Sequence, residues 1–206
     1  MRRVRLSLTL IAVFIVLTLL DKPLAHLLML DPERELYRSD LYNFFRGMGY
    51  LGTWVAIGVI FILHDRNRHR GAAIIMAPLF AGLLSEGIKL SVARERPVDG
   101  TTLQEGWYHF REPFSGFLNP VNLGFPSSHT AVAFAGCLML AYLVPTARGV
   151  LLFFAIGCGI TRLLVGAHFS SDVFVGAVLG VIFAKIMSHY ISMYVEGVGD
   201  RFRTPR

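Results

Sequence analysis

Three short stretches of this 206-residue chain carry residue types and spacings that could do chemistry together. One runs from Thr161 to Asp172 and holds Arg162, His168 and Asp172 between two long apolar runs. Groups of this kind are costly in hydrocarbon unless they are paired, hydrated or used. His168 and Asp172 are four apart, one helical turn if a helix starts near Phe169. A carboxylate so placed can hold one imidazole nitrogen by its N–H and leave the other free as a nucleophile. Arg162 adds a planar, permanently charged fork suited to a phosphate-like oxyanion. Taken singly, each residue also has a plainer use. An arginine at a helix end anchors at the interface, and Asp172 can serve as a helix cap.

The second stretch is Lys89-x6-Arg96-Pro97. Seven residues is nearly two helical turns, which puts both cations roughly on one face, with Pro97 ending the helix; if the helix frays before Pro97, Arg96 can instead fold back toward Lys89. Glu86 lies three residues before Lys89, on the same face. The third is Pro126-Ser127-Ser128-His129 at the start of an apolar run. Ser127 and the free N–H groups of a helix start make a natural anion site, and His129 could give a proton to a leaving oxygen. Together these residues suffice for a two-step phosphoryl transfer. His168 would attack phosphorus, His129 would act as acid and then base, and Lys89, Arg96 and Arg162 would carry the charge stabilisation. Neither a metal nor a cofactor is expected, since no clustered carboxylate set is present to bind one.

Positioning these groups falls to helices. The chain is 54% hydrophobic with positive mean hydropathy, and several apolar runs reach or approach the ~18 residues a membrane helix needs. The expectation is an all-α, six-helix membrane bundle forming a single domain over residues 1–206. Its spans fall at Leu6–Leu20, Gly47–Leu63, Gly71–Val92, Pro126–Val144, Val150–Val165 and Asp172–Val195. The basic start and first apolar run resemble a signal peptide, but Asp21-Lys22-Pro23 is no small-residue cleavage site, so a retained first helix is expected. Asp31 to Arg46 mixes charge with aromatics and reads as a helix lying in the headgroup layer, or a solvated connection. The Gly-, Pro- and aromatic-rich stretch from Val98 to Phe125 could act as a lid or as an interfacial belt.

The net charge of +6 does not mark a nucleic-acid binder, because the basic residues sit in short loops and tails. Half of them would lie on the side of the two termini, in Arg2–Arg5, Arg66–Arg70, Arg148 and the basic tail. That puts the termini in the cytoplasm and the chemical residues at the outer face. The same rule explains the His64–Arg70 loop better than metal binding does. Cys137 and Cys158 fall inside helices and read as small core residues.

Lys-x6-Arg-Pro, Pro-Ser-x-His and Arg-x5-His-x3-Asp, in this order, resemble the three signatures of the type 2 phosphatidic acid phosphatase superfamily. The resemblance spans Lys89 to Asp172 and implies a six-helix core. It assigns Lys89, Arg96, Ser127 and Arg162 to phosphate binding, with Ser128 beside them. It further assigns the acid role to His129, the nucleophile to His168 and its orientation to Asp172. Two positions depart from the pattern: Ser128 stands where the family has glycine, and Thr161 where it has serine. A side chain at Ser128 either crowds the phosphate or adds a hydroxyl contact. The implied activity is hydrolysis of a lipid phosphate at the membrane surface of a bacterial inner membrane. The candidate substrates are undecaprenyl diphosphate, phosphatidylglycerol phosphate, phosphatidic acid and a lipid A phosphate. The alternatives are a phosphotransferase with a non-water acceptor and a non-enzymatic binder of anionic lipid.

Overall fold

The structure is a computed structural model that describes residues 2–30, 39–97 and 110–193. The described part is all-α. Helix α1 covers Arg2–Leu28, α2 Asp40–Gly47, α3 Leu51–His64, α4 Arg68–Val92, α5 Ser128–Leu143, α6 Arg148–Leu164 and α7 Ser170–Ile191. Four helical segments are long and apolar enough to cross a membrane: Val4–Leu28, Arg68–Val92, Pro145–Leu164 and Ser170–Ile191. A fifth crossing exists if α2 and α3, bent by 61° at their junction, are taken as one span. Helix α5 has the right composition but only 16 residues. The described chain therefore presents an integral membrane protein with four or five candidate spans rather than six. The difference lies in α5, whose 16 residues fall short of the ~18 a crossing needs, and in the break that splits α2 from α3.

Helix α5 is the centre of the bundle. It packs on α4, α6 and α7 and is lined by small residues, among them the buried Ala131, Ala133, Ala135, Gly136 and Ala141. Without a hydrophobic drive between helices in lipid, close backbone approach is what holds them together. Gly176 and Gly180 show this on α7: a Cβ at either would strike the Ser127 or Ala131 carbonyl of α5. Gly136 likewise makes room for the Trp54 indole of α3, whose Nε1 donates to the Met48 carbonyl at 2.9 Å. Helix α1 stands at the edge with most of its apolar side chains exposed, as a lipid-facing helix would, yet Asp21 near its C-terminal end is fully buried.

Helix α1 runs on past Asp21-Lys22-Pro23 to Leu28. Of the stretch read as a headgroup-layer helix, Asp40–Gly47 is helical, started by Ser39, whose hydroxyl accepts from the Tyr42 N–H at 3.2 Å. Its proposed start at Asp31-Pro32 lies outside the described residues, as do the 98–109 part of the long loop and the 194–206 tail. In the His64–Arg70 turn, Asp65 accepts from the Asn67 N–H at 2.8 Å and pairs with Arg70 at 3.4 Å. Both cysteines are buried and unbonded.

Candidate active site

Four helix ends meet at one end of the bundle: the C-terminal ends of α4 and α6 and the N-terminal ends of α5 and α7. They bring Lys89, Ser127, Ser128, His129, Arg162 and Asp172 to one place, with His168 in the tight turn before α7. Lys89, Ser127, Arg162, His168 and Asp172 are all buried.

The turn around His168 fixes its tautomer. Nδ1 lies 2.7 Å from the Gly124 carbonyl oxygen, which can only accept, so Nδ1 carries the proton and Nε2 keeps its lone pair. Asp172 Oδ2 stands further off, 3.8 Å from the same Nδ1. The carboxylate's own direct bonds are elsewhere: Oδ2 accepts the Phe169 N–H at 2.8 Å, capping α7, and Oδ1 accepts from Arg94 at 2.9 Å. The direct orienting contact on His168 is therefore a backbone carbonyl, while Asp172 acts at ion-pair range. A Cβ at Gly124 would sit 3.2 Å from Asp172 Oδ2, so the carboxylate would have to give by a few tenths of an ångström.

Burial pushes the His168 imidazole below its ordinary pKa of 6.5; the Asp172 carboxylate opposes this, and the Lys89 and Arg96 charges add to it. A neutral imidazole is the nucleophilic form, so acid inactivates only below this lowered value. The acid limb of kcat/KM is accordingly expected below pH 6.5. A pH–rate profile with its limb at or above that value would contradict the assignment.

At the other end of the site, Lys89 Nζ donates to Glu86 Oε1 and to Ser128 Oγ, each at 2.7 Å, and Ser128 Oγ donates to the same Glu86 oxygen at 2.5 Å. The hydroxyl that stands where the family has glycine thus serves as a partner of the lysine. Ser127 caps α5, accepting from the Thr130 N–H at 3.4 Å and the Thr130 hydroxyl at 2.9 Å. His129 Nε2 is buried and has no hydrogen-bond partner among the described residues. A buried polar nitrogen left open in this way costs free energy unless a ligand completes it. His129 lies within electrostatic reach of Arg162, His168, Arg46 and Lys89.

Arg162 donates from Nη2 to the Tyr42 hydroxyl at 2.6 Å and stacks over that ring at 5.2 Å. Arg96 reaches the site by the second of the two expected routes, from beyond an early helix end. Helix α4 stops at Val92, where Ala93 adopts a left-handed conformation with φ 53°, so Arg96 is not on the helical face of Lys89. Isolated β-bridges from Arg94 to Phe110 and from Glu95 to Leu123 hold the segment instead, and Arg96 Nε donates to the Leu123 carbonyl at 3.0 Å. Pro97 lies beyond the true end of the helix.

Several contributors escaped sequence reading. Arg94 and Asp21 form a buried network behind Asp172. Tyr42 and Arg46 come from α2, and Arg46 lies over the Tyr42 and Tyr50 rings at 5.9 and 5.3 Å. Tyr50 packs edge-on against His129, with ring centroids 5.4 Å apart. Gly49 permits this approach, since a Cβ there would fall 2.8 Å from His129 Cβ. One available signal was Asp21 itself, an acid directly after the apolar run Leu6–Leu20 and within the same helix.

Comparison with known proteins places this geometry. Two curated relatives are both named lipid A 1-phosphatase. The protein of Rhizobium johnstonii is 35% identical over 116 residues, covering 56% of this chain and 46% of its own. That of Rhizobium etli is 36% identical over 110 residues, covering 53% and 45%. The chain thus spans about half the length of these relatives. Its fold is also similar to the crystal structure of LpxE from Aquifex aeolicus, at TM-score 0.56 and 20% identity over 87% of this chain and 94% of that one. The crystal structure of a transmembrane PAP2 type phosphatidylglycerolphosphate phosphatase from Bacillus subtilis aligns at TM-score 0.63 and 19% identity, over 95% and 98%. The profile of the PAP2 superfamily matches residues 70–196, which include all three motifs and every helix end at the site, and the chain belongs to that superfamily.

Proposed function

We propose that this chain is a lipid phosphate phosphatase working through a phosphohistidine. The observation that carries the reading is the His168 tautomer: Nδ1–H engaged by the Gly124 carbonyl, Nε2 free, in a site that also holds the open His129 Nε2. The Nε2 lone pair attacks phosphorus while the P–O bond to the lipid breaks. His129 gives its proton to the departing oxygen. Positive charge grows on His168 as the P–N bond forms, and the Asp172 carboxylate at 3.8 Å stabilises it. Lys89, Arg96 and Arg162 bind the phosphoryl oxygens. His129, now a base, takes a proton from water, which attacks phosphorus. The P–N bond breaks, inorganic phosphate leaves and neutral His168 returns.

In this reading α2–α3 counts as one span and α5 as another, giving six crossings with both ends on the cytoplasmic side. The site then opens on the outer face of a bacterial inner membrane, with α2 and its exposed Leu41 and Phe44 forming the outer end of the α2–α3 span. The matched relatives favour lipid A carrying a 1-phosphate as the first substrate to try.

The test is phosphate release by the purified, detergent-solubilised chain from a panel of lipid A 1-phosphate, phosphatidylglycerol phosphate, phosphatidic acid and undecaprenyl diphosphate, with EDTA present. Release supports a metal-independent hydrolase and ranks the headgroups. Substrate loss with label appearing on an added lipid or sugar acceptor instead of in free phosphate would overturn hydrolysis in favour of transfer.

Ser128→Gly checks the local reading of Lys89. Losing one hydrogen bond worth ~1 kcal/mol leaves the lysine less ordered, so KM is expected to rise about two- to tenfold with kcat within about twofold. A kcat lowered about a hundredfold would instead put the Ser128 hydroxyl in the chemistry.

A further inference from the structure

Behind the nucleophile lies a buried charge triad of which the three motifs name only Asp172. Arg94 Nη1 donates to Asp172 Oδ1 and Arg94 Nη2 to Asp21 Oδ2, both at 2.9 Å, so one guanidinium bridges two carboxylates. Ser171 ties the group together: its N–H donates to Asp21 Oδ1 at 2.8 Å, its hydroxyl donates to Asp21 Oδ2, and it accepts from Arg94 Nη1 at 2.9 Å. The guanidinium lies over the Phe169 ring at 4.4 Å. Asp21, Ser171 and Asp172 are fully buried and Arg94 nearly so.

The charge balance of this group matters for His168. Alone with Asp172, a buried guanidinium would neutralise that carboxylate and weaken its pull on the imidazole. A second carboxylate on the far side of the guanidinium leaves the group with a net charge of −1, facing His168 through Asp172. At low local dielectric such a charge acts over several ångströms. A purely structural role would be served as well by apolar side chains, since swapping buried ion pairs for packed hydrophobics is often neutral or stabilising. We propose that Asp21, acting through Arg94, is a positioning residue that keeps the Asp172 charge available to His168 and so sets the basicity of the nucleophile. The proposal rests on the phosphohistidine reading above for its purpose, though not for its measurement.

The charged groups around His168 are Asp172 on α7, Lys89 on α4, Arg94 and Arg96 just beyond α4, and His129 on α5. Asp21 on α1 adds to them through Arg94. Removing its charge takes away negative potential and disfavours the imidazolium. The measurement is an NMR titration of the His168 imidazole, ring-labelled with 15N and assigned by loss of its signal in His168→Asn. It is made on detergent-solubilised wild type, Asp21→Asn and Asp21→Glu, with thermal midpoints beside it.

Asp21→Asn is expected to lower the His168 midpoint by about 0.5 to 1 pH unit, and Asp21→Glu to restore most of it. The acid limb of kcat/KM should move down with it. Arg94→Gln removes the opposite charge and should raise the midpoint, which keeps the test open if Asp21→Asn does not fold. A folded Asp21→Asn with an unchanged midpoint, or an Arg94→Gln shift of the wrong sign, would overturn the proposal and leave a structural staple. The titration needs no turnover. A chain that shows these shifts yet releases no phosphate would sink the phosphatase reading alone.

Discussion

Replacing His168 by alanine is expected to lower phosphate release from a lipid phosphate by about 10^4-fold or more, with the protein still folded. The size follows from the chemistry. Without the imidazole, the phosphohistidine route closes and only charge stabilisation by Lys89, Arg96 and Arg162 remains to help direct attack by water. His168 is buried, but its turn is held by contacts the variant keeps: the Ala167 N–H to the Arg162 carbonyl at 3.1 Å and the Phe169 N–H to Asp172 at 2.8 Å. Circular dichroism and a thermal midpoint near wild type would show that the loss is chemical. Residual activity within about a hundredfold of wild type would mean another nucleophile.

His129→Ala is expected to cost about 10^2- to 10^4-fold with a lipid phosphate, whose leaving group is a basic alkoxide that needs a proton. An activated aryl phosphate leaves without one, so the loss there should be at least tenfold smaller in the first step. The open Nε2 of His129 is the structural ground for this difference, since it is a buried imidazole nitrogen with no partner among the described residues. A burst-phase measurement separates the two half-reactions, because His129 also serves as base when water attacks. Equal losses in the first step for both leaving groups would contradict the acid role.

Much of this was legible in the chain. The helices show as apolar runs, and the three motifs bring their residues to helix ends that do converge. What the motifs could not show is how those residues are held. The lysine and arginine of the first motif were expected on one helical face, or drawn together past a frayed helix end. Ala93 takes a left-handed turn and two β-bridges redirect Arg96, a backbone event that side-chain spacing does not reveal. The direct partner of His168 is the Gly124 carbonyl, and a backbone acceptor has no signature in a reading based on side-chain types. Arg94 sits between two motif residues, and its partner Asp21 lies seventy-three positions away on α1. Contacts of that separation depend on how α1 docks on α7, which no local pattern encodes. Tyr42 and Arg46 were read as interfacial residues of a connecting helix, and their faces turn toward Arg162 and Tyr50 through the 61° bend between α2 and α3. Six full-length spans were also expected, and α5 falls short because it is bounded at 16 residues by the Ser127 cap and by the turn that starts at Pro145.

The most direct measurement is to trap the phosphoenzyme. The purified chain is mixed with a 32P-labelled lipid phosphate that it hydrolyses, quenched within milliseconds into alkali, digested and read by mass spectrometry. The account predicts one alkali-stable, acid-labile phosphoryl group on the peptide containing His168, absent from the His168→Ala variant. Turnover of the lipid with no label on that peptide, or with the label on another residue, would contradict it.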